Sequence, residues 1–237
     1  DQTAESYNSS VGWAGDVNGD GYDDLLVSAT NVGQDVDIDG YRDGVASLFL
    51  GSADGISDSN LNNADTVWSP SKGELYLGVT GSGGSTGVGD LNGDGYDDIA
   101  IPIYDYSGDN IFSAVHIWYG SALGISSGSE ESADTIITGV EWTADTGSGG
   151  SNLGFFLNIV YIGDVNGDGF DDMGAVYGDS NAAFDSSDST SDDAYIFYGS
   201  ASGVSVSSPA DADWQMAGCT GTHPYYYDPY NFGFNGV

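Results

Sequence analysis

The chain has 237 residues, 39% of them hydrophobic and 13% aromatic, enough to bury a substantial core. Two basic residues stand against 37 acidic ones, a formal net charge of −35, so the surface repels nucleic acid and anionic membranes, and no apolar run is long enough to span a bilayer. Aromatic and β-branched segments interrupt the acids throughout, which excludes a disordered polyacid.

The first predicted element is an opening strand at Tyr7–Val11, which leads to Asp16-Val17-Asn18-Gly19-Asp20-Gly21-Tyr22-Asp23-Asp24. Oxygen side chains at positions 1, 3, 5 and 9, with glycine at 6 to turn the backbone, suit a hard cation wrapped by one short loop. The expected ligands are the side chains of Asp16, Asn18, Asp20 and Asp24 and the Tyr22 carbonyl, with Asp23 pointing elsewhere. Position 12, where an EF-hand places a bidentate Glu, is Val27, so the loop is expected to enter a buried strand, Leu25–Val27, instead. Leu48-Phe49-Leu50-Gly51-Ser52 then reads as a strand entering a glycine turn, and Ala64-Asp65-Thr66-Val67-Trp68 as a further strand. Asn-Gly and Asp-Gly are also ordinary turn formers, and one copy would not separate turn from metal loop.

The pattern returns twice. A second unit opens at Tyr76–Gly78, carries Asp90, Asn92, Asp94, Tyr96 and Asp98 in the ligand positions, and continues through Ile99–Ile101, Ile117–Ser121 and Ile136–Trp142. The third opens at Leu153–Phe156, carries Asp164, Asn166, Asp168, Phe170 and Asp172, and continues through Met173–Val176, Ile196–Ser200 and Asp211–Trp214. Asp16, Asp90 and Asp164 are spaced by 74 residues, as are Trp68 and Trp142, so each loop belongs to a structural repeat. Three copies with every ligand position filled favour cation binding over bare turns, with Ca2+ at three sites. About four strands per unit is the make-up of a propeller blade. The expected fold is all-β, with β-propeller-type blades of about four antiparallel strands at 1–75, 76–151 and 152–230. Asn231–Val237 matches the opening strand of a fourth.

These motifs resemble FG-GAP repeats, the blades of the integrin alpha-subunit propeller, whose pattern is a Phe-Gly start, a Gly-Asp-x-Asn-x-Asp-Gly-x-x-Asp loop, a strand and a Tyr-Gly-Ser turn. The resemblance covers essentially the whole chain. It departs at the Phe-Gly start, which is Tyr7-Asn8 in the first unit and Leu77-Gly78 in the second, and lacks the Gly-Ala-Pro that often follows the loop strand. It implies calcium ions that brace the blades rather than catalyse, in a protein located outside the cell or at its surface.

No enzyme is expected. His116 lies in a strand pattern and His223 beside Pro224, neither next to an evident nucleophile. Two function classes stay open: a structural or adhesive protein of a surface array or filament, or a carbohydrate- or protein-binding module of a larger secreted protein. The second would use exposed aromatics such as Trp13, Trp142 or Tyr225–Tyr227, whereas Trp68, Trp118 and Trp214 are expected in the core. Partners would be other protein chains, including copies of this one joined head to tail through the aromatic segments Tyr225–Tyr227 and Tyr230–Phe234, or carbohydrate. Further blades of a longer chain are the alternative to self-assembly. Cys219 is alone and reads as a small buried residue. Asn8-Ser9-Ser10 fits a glycosylation acceptor, and Ser186–Ser191 a solvated loop.

Overall fold

The computed structural model describes residues 9–29, 44–57, 60, 63–72, 75–78, 85–105, 112–139, 154–179 and 193–216. The expectations placed on Tyr7, Asn8, Trp142, Ser186–Ser191, Cys219, His223, Tyr225–Tyr227 and the 231–237 strand lie outside them. Among the described residues the protein is all-β, as expected, with two short 3-10 turns at Glu130–Ser132 and Pro209–Asp211 and no α-helix. Among the described residues no helix is long and apolar enough to cross a membrane.

Three antiparallel sheets follow one another along the chain. The first is β1 (Ser9–Gly15), β2 (Asp24–Ala29), β3 (Val45–Phe49) and β4 (Thr66–Trp68), each paired with the next. The third repeats this order with β10 (Gly154–Gly163), β11 (Asp172–Asp179), β12 (Asp193–Phe197) and β13 (Trp214–Met216). In the second, the opening strand is in two pieces, β5 (Leu75–Leu77) and β6 (Thr86–Gly89), which both pair with β7 (Asp98–Asp105), followed by β8 (Phe112–Trp118) and β9 (Thr135–Thr138). Pro102 sits at the break, because β5 pairs with residues 103–105 and β6 with 98–100. A proline has no N–H to give a neighbouring strand, and its carbonyl accepts instead from Gly78 N–H at 2.7 Å. The Thr-Gly-Val-Gly sequence of β6 carries no strand alternation, so only the first piece was legible in the sequence.

The core lies between sheets. Ala14, Val17, Leu26, Leu48 and Trp68 of the first pack against Leu77, Ile99, Ile101 and Trp118 of the second, with the Trp68 and Trp118 rings 5.3 Å apart. Val88, Leu91, Val115, Ile117 and Ile137 of the second pack in the same way against Phe156, Ile159, Met173, Tyr195 and Phe197 of the third. Each unit therefore has a leading face toward its predecessor and a trailing face toward its successor, and burial on both faces is what stabilises the middle one. His116 lies in β8, as its strand pattern indicated; it is buried there, and burial lowers its pKa to about 4.

The register corrects one sequence correspondence. β3 pairs Leu48 with Thr66, β8 pairs Ile117 with Thr135, and β12 pairs Ile196 with Trp214. The counterpart of Trp68 is thus Ile137, not Trp142. The segment from the loop's last Asp to the Gly-Ser turn is shorter in the second unit, 98 to 120 against 24 to 51, which displaces everything after it. Asp65, Asp134 and Asp213 mark the true register, since each accepts the N–H of the residue before the turn glycine, Leu50, Tyr119 or Tyr198, at 2.8, 2.9 and 2.7 Å. Trp68 and Trp118 are buried as expected, whereas Trp214 is exposed on the trailing face of the third sheet.

Candidate metal-binding loops

Each loop links the first two strands of its sheet, entered through an irregularity at Gly15, Gly89 or Gly163. Local hydrogen bonds define its shape. The N–H of Asp20 is shared between Asp16 Oδ1 and Asn18 Oδ1, both at 3.0 Å, Gly21 N–H donates to Asp16 Oδ2 at 2.8 Å, and Tyr22 N–H to Asp20 Oδ1 at 3.0 Å. The Asn18 amide donates to Asp20 Oδ2 at 3.0 Å. The same five bonds recur about Asp90, Asn92 and Asp94 and about Asp164, Asn166 and Asp168. The glycines at positions 4 and 6 all have φ between 72° and 96°, the left-handed region that only glycine enters cheaply. Positions 1, 3 and 5 are thereby brought together at the exposed tip.

Position 9 behaves differently. Asp24, Asp98 and Asp172 are buried. One oxygen of each accepts the N–H of position 2, Val17, Leu91 or Val165, at 3.0, 2.8 and 2.8 Å. The other accepts the N–H of the turn glycine, Gly51, Gly120 or Gly199, at 2.7, 2.9 and 3.0 Å. This explains why the Gly-Ser turn repeats in step with the loop: its glycine is the loop's hydrogen-bond partner. Burial pushes Asp24 up to about 6 and Asp98 up to about 8, against the lowering effect of the two N–H bonds. A carboxylate oxygen has more than one lone pair, so these bonds do not exhaust its acceptor capacity.

An all-oxygen set of two carboxylates at the loop tip, an amide and a buried carboxylate has the chemistry of a calcium site. Among the described residues, however, no three acidic or histidine side chains stand close enough together to form a metal-holding group.

Position 8 was expected to point away from the loop, and the structure shows where it goes. Asp97 reaches back to the preceding unit, where its Oδ2 accepts Asp16 N–H at 2.8 Å while its own N–H donates to Asp16 O at 3.2 Å. Asp171 does the same to Asp90, at 3.0 and 3.1 Å. Burial raises the pKa of Asp97, and the N–H bond from Asp16 opposes the rise. The turn joins the bracket: Ser121 N–H donates to Val17 O at 3.1 Å, and Ser200 N–H to Leu91 O at 2.9 Å. The position-7 rings complete it, since a Cβ on Gly19 would stand 2.7 Å from Tyr96 Cε1, and one on Gly93 2.5 Å from Phe170 Cε1. Sequence reasoning missed this role, although the threefold recurrence of Asp23, Asp97 and Asp171 was its visible signal.

Residues 82–118 match the family model of the FG-GAP repeat. Integrin alpha-PS5 of Drosophila melanogaster is 35% identical over 95 residues, a stretch covering 40% of this chain and 8% of that protein.

Proposed function

For an FG-GAP repeat protein assembled in this way, we propose a non-catalytic, calcium-stabilised structural or adhesive role outside the cell or at its surface, as part of an array or filament. The single observation that carries this reading is the double tie of each loop. Position 9 binds the loop to its own Gly-Ser turn, and position 8 of the second and third units binds it to the unit before. A cation held by Asp16, Asn18, Asp20, the Tyr22 carbonyl and Asp24, or by their counterparts, would relieve repulsion among the carboxylates of an already acidic body. It would also stiffen two units at once. Binding free energy then appears as folding free energy.

The test is thermal unfolding in chelator and after titration with calcium. The melting temperature should rise over the range of about 10⁻⁴ to 10⁻³ M typical of extracellular calcium modules. An unchanged melting temperature would remove calcium from the account. A second reading, ligand binding, has one observation in its favour: Trp13 is exposed and its ring stands 5.6 Å from that of exposed Tyr161. Such a pair offers a stacking surface to a sugar ring or a protein side chain. Glycan-array binding lost in Trp13→Ala would support it.

A further inference from the structure

The loop tips differ at one backbone hydrogen. Asn18-Gly19, Asn92-Gly93 and Asn166-Gly167 occupy positions 3 and 4 of the three loops. Asn18 Oδ1 accepts Asp20 N–H at 3.0 Å, and Asn92 and Asn166 Oδ1 accept those of Asp94 and Asp168, both at 2.9 Å. That bond folds each side chain back toward the glycine that follows it, and it sets an N–H on the oxygen where negative charge would develop if the glycine nitrogen attacked Cγ. The nitrogens themselves are not alike. Gly93 N–H donates to Asp90 Oδ1 and Gly167 N–H to Asp164 Oδ1, both at 2.7 Å, whereas among the described residues Gly19 N–H has no acceptor. The first two loops make a matched pair, Asp-Val-Asn-Gly-Asp-Gly-Tyr at 16–22 and Asp-Leu-Asn-Gly-Asp-Gly-Tyr at 90–96, and both glycines lie under a ring of the next unit, Tyr96 or Phe170. A difference in their reactivity is therefore set by the fold.

We propose that Asn18 is a self-modification site, at which the Gly19 nitrogen attacks Asn18 Cγ and closes a five-membered succinimide. The Gly19 nitrogen gives up its proton to water, and the side-chain amide nitrogen takes up a proton and leaves as ammonia. Water then opens the ring at either carbonyl, which leaves aspartate or isoaspartate at position 18 and one more negative charge. Glycine hinders such an attack least, having no side chain, and Gly19 and Asp20 are exposed, so water reaches the ring. At Gly93 the same step breaks a hydrogen bond to a carboxylate and builds negative charge beside it, which holds Asn92 back. The two products act differently. Aspartate keeps an oxygen at position 3 of the loop. Isoaspartate routes the main chain through the side chain, lengthens it by one carbon and displaces Gly19, whose φ of 72° and place under the Tyr96 ring leave little room. The first loop, with the bracket that Tyr96 and Asp97 make on it, then ages while the second stays intact.

The test compares Asn18 with Asn92 in one molecule. The 237-residue chain is aged at mildly alkaline pH in calcium, its fold followed by circular dichroism, alongside the same chain unfolded in urea. Conversion at each site is read by peptide mass spectrometry and by enzymatic methylation of isoaspartate. In the folded chain Asn18 should convert about tenfold faster than Asn92, the factor carried by a hydrogen bond to a charged group. In urea the two should convert at similar rates, because only Val17 and Leu91 distinguish their immediate surroundings. Asp90→Ala, which frees Gly93 N–H, should close most of the gap, whereas Asp16→Ala, which releases no such bond, should widen it little. Conversion of Asn18 no faster than Asn92 in the folded chain, or the same ratio in urea as in the fold, would overturn the proposal. Neither result touches the calcium reading, which is decided by the melting temperature.

Discussion

The middle loop, Asp90 to Asp98, and the third loop, Asp164 to Asp172, have nearly the same sequence and the same internal hydrogen bonds, but among the described residues only the middle one is held by a following unit. It receives the Asp171 carboxylate on Asp90 N–H, Ser200 N–H on the Leu91 carbonyl, and the Phe170 ring over Gly93. The third unit gives these contacts, and among the described residues none is returned to its loop. A loop here is shaped by its own residues and secured by its successor. Stability should therefore grade along the chain, as in repeat proteins whose units share interfaces.

The largest expected effect is at Gly199, which holds the middle loop from the third unit. A Cβ there would stand 2.2 Å from the Asp171 carbonyl oxygen and 2.6 Å from that of Leu91, backbone on both sides of the junction. Gly199→Ala should cost about 3 kcal/mol, the upper end of overpacking. Amide exchange in residues 90–98 should accelerate more than in 16–24. Unchanged exchange in the middle loop would mean that the junction does not secure it.

A direct contrast comes next, from Gly93→Ala and Gly167→Ala. Both glycines have positive φ, 72° and 77°, so both substitutions cost about 1 to 2 kcal/mol in backbone conformation. Only Gly93 also meets the Phe170 ring, at 2.5 Å from a built Cβ, which adds about 1 kcal/mol or more by crowding. Denaturant unfolding of the two variants measures the difference directly. Equal losses would show the ring to be a bystander.

The smallest effect separates a used bracket from an unused one. Asp97→Ala leaves Asp16 N–H without its carboxylate and should cost about 1.5 kcal/mol, the scale of a hydrogen bond to a charged group. Asp23→Ala, in isolated chains, should stay within about 0.5 kcal/mol of the parent, as for an exposed site. Calorimetric calcium titration of Asp97→Ala should keep the same number of sites, since position 8 lies outside the expected ligand set. A lost site would place Asp97 among the ligands and change the register of the loop.

The division between what was legible and what was not follows contact distance. Repeat number, all-β class and loop position could be read because oxygen spacing and glycine placement recur with a fixed period. The split of the second opening strand escaped notice because Thr86–Gly89 has no alternation. The counterpart of Trp68 was misplaced because a shorter connection before Gly120 breaks the period within one unit. His116 lies in a strand as its pattern indicated and Trp68 is buried as expected, whereas Trp214 is exposed, because its burial depends on a neighbour rather than on its strand.

By itself the sequence determined the shape of each loop tip, for a physical reason: those hydrogen bonds span two to five residues, and the glycine φ values they need are a local property. Tertiary structure alone decided the use of Asp97 and Gly120. The Asp97 carboxylate meets Asp16 N–H across 81 residues, and Gly120 meets Asp98 across 22. Such contacts depend on how one sheet is laid against the next, and the packing of buried apolar faces sets that.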